Sequence, residues 1–190
     1  MNSKTNNKNE NQYQNEDLQF VMSKRYLRPI SQVTENIYLG NIYDAFNQRN
    51  LEDLGIKKVL SLISDPQLLM YPKEIEHKLI KINDLPRENI IKYFGECLLF
   101  IEGDKKVLVH CMAGASRSAT IVIAFLMWDH KMTYHKALTL VKDKRFIVFP
   151  NPGFRDQLQI FEKELTNNNY DIDKIKFEEI KWEPKSYGFF

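Results

Sequence analysis

The chain has 190 residues, which is the size of one ordinary domain with short tails. Its 27 Lys and Arg residues nearly balance its 25 Asp and Glu residues, and a net charge of +2 argues against a nucleic-acid partner. Hydrophobic residues make up 43% of the chain, but the longest uninterrupted apolar run, residues 121–128, is shorter than the roughly 20 residues that cross a membrane. We therefore expect one globular domain with no nucleic-acid and no membrane partner.

The two cysteines, Cys97 and Cys111, exclude a disulfide framework and favour a reducing compartment, so we expect the protein in the cytoplasm or the nucleus. Residues 1–28 combine an Asn-rich run, almost without apolar side chains, with a basic lead-in. Such a run cannot bury enough surface to offset the entropy of ordering, and its first residues include no apolar stretch of the signal-peptide type. We predict a disordered tail here.

From Pro29 onwards, strand patterns alternate with helix patterns. Strands are predicted over residues 33–39, 56–63, 77–82 and 106–110. After the first strand, Asp44 is a plausible N-cap for a short helix that ends at Gly55. An amphipathic helix is expected over residues 90–101, and we interpret Cys97 on its apolar face as a core residue.

The second half of the chain is mostly helical. Residues 118–130 are apolar on nearly every face, which predicts a buried helix. A further helix follows with Thr133 as its N-cap and ends near residue 144, and another begins at Asn151, before a proline in its first turn. Residues 166–190 mix charged and aromatic side chains, and they either pack back on the domain or contact a partner.

The most informative segment joins the strand at residues 106–110 to the helix that follows it. It reads HCMAGASRS, so Cys111 follows the strand and Arg117 precedes the helix. Small residues between a strand and a helix N-terminus turn successive backbone N–H groups inward, and the helix dipole adds positive potential. Such a loop binds phosphate. The residues predicted to bind it are Met112, Ala113, Gly114, Ala115, Ser116 and Arg117.

The same segment predicts an activated nucleophile. A thiol at the base of a phosphate-binding loop lies in positive potential, so we expect the pKa of Cys111 to fall from about 8.5 into the range of about 3.5 to 7.5. The Arg117 guanidinium can bind two phosphate oxygens at once, first in the substrate and then in the transition state. Ser118 can donate its hydroxyl proton to the thiolate and ease its departure in a second step.

The segment HCMAGASRSAT resembles the signature of the dual-specificity phosphatases, members of the Cys-based protein tyrosine phosphatase superfamily. QVTENIYLGN, DLPRENIIKYF and PNPGFRDQL resemble the family's first strand, its general-acid loop with the following helix, and its last helix. The resemblance assigns a catalytic domain to residues 29–165, between tails at residues 1–28 and 166–190. It implies an α/β fold with a central mixed, mostly parallel sheet of about five strands flanked by helices.

The resemblance also implies roles for side chains outside the loop. Asp84 matches the general acid, although a turn or a helix cap would explain the same residue. His110 matches a residue that orders the loop and favours the thiolate, with a buried strand-end histidine as the alternative. Asn151 is a helix cap that the family places near the loop. Arg145 and Phe146 stand where the family often has Arg-Pro, a difference that affects the rim of the pocket.

These matches imply a dual-specificity protein phosphatase that hydrolyses phosphotyrosine and phosphoserine or phosphothreonine through a cysteinyl-phosphate, with no metal or other cofactor. The implied partners are phosphoproteins, a kinase among the candidates, and the oligomeric state is left open. A phosphatase acting on lipid head groups or RNA 5′ ends is disfavoured because the loop has no extra basic residue. A phosphate-binding adaptor without catalysis is disfavoured because Cys111, Arg117 and Asp84 are all present.

Overall fold

The computed structural model describes residues 29–64 and 70–186, which are built around a five-stranded sheet. The strands are β1 (Ser31–Gln32), β2 (Ile37–Gly40), β3 (Lys58–Ile63), β4 (Glu76–Lys81) and β5 (Val107–His110). Their spatial order is β1-β2-β5-β3-β4, with β1 antiparallel to β2 and all other neighbours parallel. The predicted mixed, mostly parallel sheet is therefore confirmed. The predicted disordered tail at residues 1–28 lies outside the described residues.

Helices connect the strands and cover the sheet. They are α1 (Ile42–Phe46), α2 (Gln48–Leu54), α3 (Phe94–Ile101), α4 (Arg117–Trp128), α5 (Tyr134–Lys144) and α6 (Pro152–Asn167), with 3-10 turns at Ile91–Tyr93 and Ile172–Lys174. Thr133 Oγ1 and Asn151 Oδ1 accept hydrogen bonds from backbone N–H groups in the first turns of α5 and α6, at 3.4 and 3.0 Å. Both N-caps predicted from the sequence are confirmed.

The two faces of the sheet bury different sets of side chains because successive residues of a strand point to opposite faces. One face joins the larger core, and its members from β2, β3 and β5 include Leu39, Leu60, Leu62, Val107 and Val109. The other face packs against α1 and α2, through Tyr38, Val59 and Leu108. Helix α4 lies deepest in the larger core, and every residue from Arg117 to Met127 is buried, as predicted for this helix.

Two predictions before β3 are wrong in detail. Of the strand predicted over residues 33–39, only residues 37–39 are extended, as part of β2, because residues 33–36 form a turn after β1 in which Val33 N–H donates to Ile37 O at 2.8 Å. The single helix predicted before Gly55 is two helices, because Asn47 leaves the helical conformation and its side chain caps α2. Helix α2 does end at Gly55, as predicted.

The N-cap of α1 is Asn41, not Asp44. Asn41 Oδ1 accepts a hydrogen bond from Asp44 N–H at 3.0 Å, and Asp44 Oδ2 accepts one from Asn41 N–H at 2.8 Å. The two residues thus form a capping box, in which the N-cap and the third helical residue satisfy each other's backbone donors. Residue type alone does not separate the two candidates, since Asn and Asp are similarly favoured as N-caps.

The segment after α6 packs back on the domain. Ile172, Ile175 and Phe177 belong to the larger core, and the Phe177 ring centroid lies 6.0 Å from that of Phe161. The sequence left open whether residues 166–190 pack on the domain or contact a partner, and these three side chains pack on the domain. Residues 187–190 lie outside the described range. In the part of the chain that the structure describes, no helix has the length and apolar character of a membrane-spanning segment.

Gln157 joins α6 to the segment that leads from β4 to α3. Its side chain is fully buried, and Oε1 accepts hydrogen bonds from Ile90 N–H at 2.8 Å and Ile91 N–H at 2.9 Å. Its Nε2 donates to Glu88 O at 2.9 Å. Because Ile90 and Ile91 are fully buried, their N–H groups have no access to water, and the Gln157 amide provides their acceptor. The segment that it holds begins just after Asp84.

We expect Gln157→Leu to lower the free energy of unfolding by about 2–4 kcal/mol, because two buried N–H groups lose their acceptor. Unfolding in urea, followed by circular dichroism, measures the change. The exposed Gln159 on the same helix provides the matched control, and Gln159→Leu should change the free energy by less than about 0.5 kcal/mol. Equal effects of the two substitutions would contradict the role given to Gln157.

Candidate active site

The motif that the sequence singles out lies at the carboxyl end of β5, a central strand of the sheet. The chain leaves β5 at His110 and enters α4 at Arg117, so the intervening loop stands at the N-terminus of a buried helix. Gly114 has a φ of 69°, and a Cβ built there would lie 2.4 Å from Gly40 O at the end of β2. Only glycine allows this close approach of the loop to the neighbouring strand.

Cys111 lies at the base of the loop with its thiol enclosed by hydrogen-bond donors. The residue is 1% exposed. Its Sγ accepts hydrogen bonds from Gly114 N–H at 3.3 Å and from the Ser118 hydroxyl at 3.2 Å. Both donors stabilise a negative charge on sulfur. The structure therefore brings together the thiol, the loop and the hydroxyl that the sequence proposes as partners.

The pKa of the Cys111 thiol is lowered from its ordinary value. Burial alone raises this pKa, because a charged sulfur is poorly solvated in the interior. The positive charge of Arg117 and the hydrogen bonds from Ser118 and Gly114 act in the opposite direction, and together they outweigh burial. In contrast, burial raises the pKa of Cys97, which is completely enclosed in the core. The Cys111 thiol therefore ionises more readily than an ordinary thiol, and the Cys97 thiol ionises less readily.

We expect alkylation of Cys111 by iodoacetamide to titrate below the ordinary thiol pKa of about 8.5, because the lowered pKa lets the thiolate persist to lower pH. Ser118→Ala should raise that pKa by about 1, the value of one lost hydrogen bond to a charged group. Mass spectrometry of the alkylated peptide separates Cys111 from Cys97. The same midpoint in both proteins would show that Ser118 does not stabilise the thiolate.

Arg117 reaches from the start of α4 toward Asp84. Its side chain is buried, and Nη1 donates to Ile82 O at 3.1 Å, just after β4. Its Nε lies 3.9 Å from Asp84 Oδ2 and, in the part of the chain that the structure describes, has no hydrogen-bond partner. A buried cationic donor without a partner is rare, and a bound oxyanion would satisfy it. The residues present therefore fit a phosphate group at this loop.

Asp84 lies beside the loop, held by residues far away in the sequence. Its Oδ1 accepts hydrogen bonds from the Ser116 hydroxyl at 2.6 Å and from Asn151 Nδ2 at 2.9 Å. The first helical turn after Asp84 begins at Ile91, so the helix-cap alternative does not describe this residue. Asn151 has two contacts at once, since its Oδ1 caps α6 while its Nδ2 binds the Asp84 carboxylate.

Helix α6 also fixes the backbone of the loop that carries Asp84. A Cβ built on Gly153 would lie 1.9 Å from Pro86 O, so the first turn of α6 and this loop touch through their backbones. Any larger residue at position 153 would push the loop away. The glycine in PNPGFRDQL therefore has a physical reason: it lets the Asp84 loop pack directly against α6.

His110 is the fully buried last residue of β5. Its Nε2 lies 2.6 Å from Ser61 Oγ, which is also 2.8 Å from His77 Nε2, while its Nδ1 is 3.4 Å from Cys111 O. Burial lowers the pKa of His110 to about 4, although the Cys111 carbonyl opposes the change. The ring is therefore neutral near pH 7, which agrees with the alternative of a buried strand-end histidine.

Arg145 is the contact residue that the sequence interpretation missed. Only 3% of Arg145 is exposed. Its Nε donates to Gly114 O at 2.9 Å, its Nη2 to Ala113 O at 3.2 Å, and its Nη1 to Pro29 O at 3.0 Å. Carbonyl and following N–H point in opposite directions across a trans peptide. By binding these two carbonyls, Arg145 turns the next N–H groups toward the inside of the loop.

Phe146, which stands in place of the family's proline, is 61% exposed, so the two adjacent residues behave in opposite ways. Arg145 stands alone between a helix and the Pro150–Asn151 pair, and no sequence pattern there indicates whether its side chain points inward or outward. The only signal was the family's Arg at this place. The structure gives a reason for an Arg here, because its guanidinium binds two carbonyl groups of the loop.

We expect Arg145→Met to lower the free energy of unfolding by about 2–4 kcal/mol, because buried carbonyls lose a charged donor. The same variant should weaken inhibition by inorganic phosphate, since the N–H groups of the loop lose their orientation. Urea unfolding and competition assays measure the two effects. Lys144→Met, at the exposed preceding residue, is the control and should leave both nearly unchanged. Phosphate inhibition as strong as in the unmodified protein would contradict the role.

Comparison with known proteins places this arrangement in a family. A family model described as "Dual specificity phosphatase, catalytic domain" matches residues 37–164. The chain is 36% identical over 148 residues to dual specificity protein phosphatase 1B of Arabidopsis thaliana, covering 74% of this chain and 86% of that one. It is 47% identical over 102 residues to dual specificity protein phosphatase 19 of Mus musculus, covering 52% and 46% of the two chains.

The likeness extends to solved structures. A crystal structure of DUSP15 has a TM-score of 0.65 and 34% sequence identity, and the match covers 73% of this chain and 96% of that one. The region matched by the family model runs from β2 into α6 and thus contains the loop, Asp84 and Asn151. The chain is a protein phosphatase and belongs to the dual-specificity phosphatases of the Cys-based protein tyrosine phosphatase superfamily.

Proposed function

We propose that this phosphatase hydrolyses phosphotyrosine and phosphoserine or phosphothreonine in proteins through a cysteinyl-phosphate on Cys111. The observation that carries the proposal is the thiol of lowered pKa under a helix N-terminus, with the buried Arg117 Nε and the Asp84 carboxylate beside it. A thiolate, an oxyanion donor and a carboxyl group are the three parts that phosphoryl transfer to sulfur needs.

In the first step the Cys111 thiolate attacks phosphorus. The S–P bond forms as the bond between phosphorus and the substrate oxygen breaks, and Asp84 gives its proton to that leaving oxygen. Ser116 and Asn151 hold Oδ1 of the carboxyl group, which leaves Oδ2 to carry the proton. Protonation matters because an alkoxide or a phenoxide is a poor leaving group.

In the second step water hydrolyses the cysteinyl-phosphate. Asp84, now a carboxylate, takes a proton from the water molecule as its oxygen bonds to phosphorus, and the S–P bond breaks. The departing thiolate regains the hydrogen bonds from Ser118 and Gly114. Asp84 ends the cycle protonated, and inorganic phosphate is released.

Backbone N–H groups of residues 112–117 and the Arg117 guanidinium bind the three equatorial phosphate oxygens in both steps. The charge on these oxygens persists through the transition state, so donors fixed in advance stabilise it without reorganising. Arg145 supports this arrangement from the outer side of the loop, through Gly114 O and Ala113 O. The steps call for no metal ion.

The proposed substrate range follows from the short connections around the loop. Residues 29–110 leave little room for a long inserted segment that would line a deep slot, and a shallow site lets short phosphoserine and phosphothreonine side chains reach the thiolate as well as phosphotyrosine. The aromatic residues around the site, Phe146 and Phe149, are 61% and 59% exposed. Because both cysteines are free thiols, the proposal also places the protein in a reducing compartment, the cytoplasm or the nucleus.

Turnover of a small aryl phosphate in the presence of EDTA tests the reaction. We expect activity that EDTA does not remove, and phosphate trapped on Cys111 when the reaction is quenched in acid. Three matched phosphopeptides that differ only in phosphotyrosine, phosphothreonine or phosphoserine test the substrate range. Turnover of phosphotyrosine alone would refute dual specificity, and binding without turnover would favour a phosphate-binding adaptor.

A further inference from the structure

An aromatic side chain with two cations lies directly beside the phosphate-binding loop. The Phe149 backbone is tied to the loop, since its N–H donates to Ala115 O at 2.8 Å, while 59% of the residue is exposed. The Lys142 Nζ lies 5.6 Å from the centroid of the Phe149 ring, and the guanidinium carbon of Arg155 lies 5.0 Å from it. Both distances fall in the range of cation–π contacts, so the ring positions both charges. We call Lys142, Phe149 and Arg155 the basic rim.

The basic rim lines a groove of about 390 Å³ between α5 and α6 that continues away from the loop. Within residues 29–64 and 70–186, no carboxylate lies within 4.0 Å of Lys142 or Arg155. The acidic residue of the groove, Asp156, is neutralised by Lys185 Nζ at 2.9 Å. The groove therefore presents positive charge that the protein's own described carboxylates do not balance.

We propose that the basic rim binds acidic side chains of the phosphoprotein substrate, close to its phosphorylated residue. The inference rests on the proposed function and adds a substrate preference to it: phosphorylation sites flanked by Asp or Glu are favoured. A substrate chain whose phosphate lies in the loop must leave the site across one of its edges. Along the edge formed by Phe149, it meets Lys142 and Arg155.

The chemistry of the rim suits a carboxylate on a peptide. The exposed ring of Phe149 offers apolar contact for the stem of a Glu side chain or for its neighbours, and the two cations can bind the carboxylate group. A nucleic acid would need a longer positive stripe, whereas the net charge of the whole chain is only +2. Two cations beside the active site match a short acidic segment of a protein.

Matched phosphopeptides test the proposal. Two peptides carry Glu or Gln at the positions flanking one phosphotyrosine, and kcat/KM is measured for both. We expect the Glu peptide to be favoured about three- to tenfold, the scale of one or two partly exposed ion pairs. At about 1 M salt, where the Debye length is about 3 Å, the preference should shrink toward unity. Affinity of the same peptides for Cys111→Ser gives the ratio independently of turnover.

The double variant Lys142→Glu with Arg155→Glu should abolish this preference and favour a peptide with Lys in place of Glu. The control is Lys136→Glu with Lys144→Glu, two exposed residues of α5 that lie about 120° or more around the helix from Lys142. This control makes the same change in net charge, and it should keep the preference of the unmodified protein.

Equal kcat/KM and equal affinity for the Glu and Gln peptides would overturn the proposal while leaving the proposed function intact. A preference that survives in the double variant would also overturn it, by placing the acid-binding residues elsewhere. If neither peptide is turned over, the proposed function fails, and the affinity ratio with Cys111→Ser still decides the question of the rim. Self-association that the double variant abolishes, with equal peptide ratios, would assign the surface to a second copy and refute the proposal.

Discussion

Cys111→Ser is expected to reduce turnover of every phosphate ester on the order of 10⁴-fold or more, the scale on which enzymes lose activity with their nucleophile. The serine hydroxyl remains protonated near neutral pH, whereas the thiol is held at a lowered pKa by Arg117 and Ser118. The substitution leaves the loop, its N–H groups and the guanidinium in place. We therefore expect the variant to bind inorganic phosphate and phosphopeptides with nearly unchanged affinity.

Steady-state kinetics and isothermal titration calorimetry measure the two halves of this expectation. Cys97→Ser is the control for loss of a thiol: Cys97 is buried in the core on α3, and the raised pKa of its thiol makes it unreactive. That variant should lose stability rather than catalysis per folded molecule. Substantial turnover by folded Cys111→Ser would assign the nucleophile to another residue.

The elements that sequence patterns located best are those set by local rules. Helix α4 is apolar on nearly every side, and α5 and α6 begin at N-caps whose side chains the structure shows in place. Their signals come from residues that are neighbours along the chain, so one sequence contains them completely. The strand–loop–helix around Cys111 belongs to the same class, because its meaning depends on a contiguous segment.

The structural roles that could not be predicted from the sequence depend on contacts between residues that are far apart along the chain. Arg145 binds Gly114 O across 31 residues, and Gln157 binds Ile90 N–H across 67 residues. Such backbone carbonyls and N–H groups have no side-chain signature, so nothing in the sequence marks them as partners. For the same reason the sequence does not mark Ser61, 49 residues away on the neighbouring strand, as a partner of the His110 ring.

For Asp84, the family resemblance supplies the expected role and the structure supplies the position of the side chain. By residue type alone it fits a turn, and only the family's motif order singled it out as an acid. The structure contributes the position: its carboxylate is fixed by Ser116 from the loop and by Asn151 from α6, at 2.6 and 2.9 Å. Three segments that are far apart in sequence thus meet at one carboxylate. Because the position of this carboxylate is fixed, a substitution of Asp84 tests its role directly.

Asp84→Asn is expected to slow the enzyme by about 10²-fold when the leaving group is a phenol or an alcohol, because the amide cannot give up a proton. The Asn side chain can still accept the hydrogen bonds from Ser116 and Asn151 through its oxygen, so the loop should keep its structure. With a strongly acidic phenol, which leaves without protonation, the first step should be nearly as fast as in the unmodified protein. A series of aryl phosphates of increasing leaving-group pKa therefore separates loss of the acid from loss of structure.

The decisive quantity is the slope of log kcat/KM against leaving-group pKa. In the unmodified enzyme Asp84 neutralises the charge that develops on the leaving oxygen, so the slope should be shallow. In Asp84→Asn the full charge must develop on that oxygen, so the slope should become steep and negative. Asp104→Asn, at an exposed loop acid that precedes β5 whereas Cys111 follows the opposite end of that strand, is the control and should reproduce the shallow slope. Parallel slopes for Asp84→Asn and the unmodified enzyme would show that another group donates the proton.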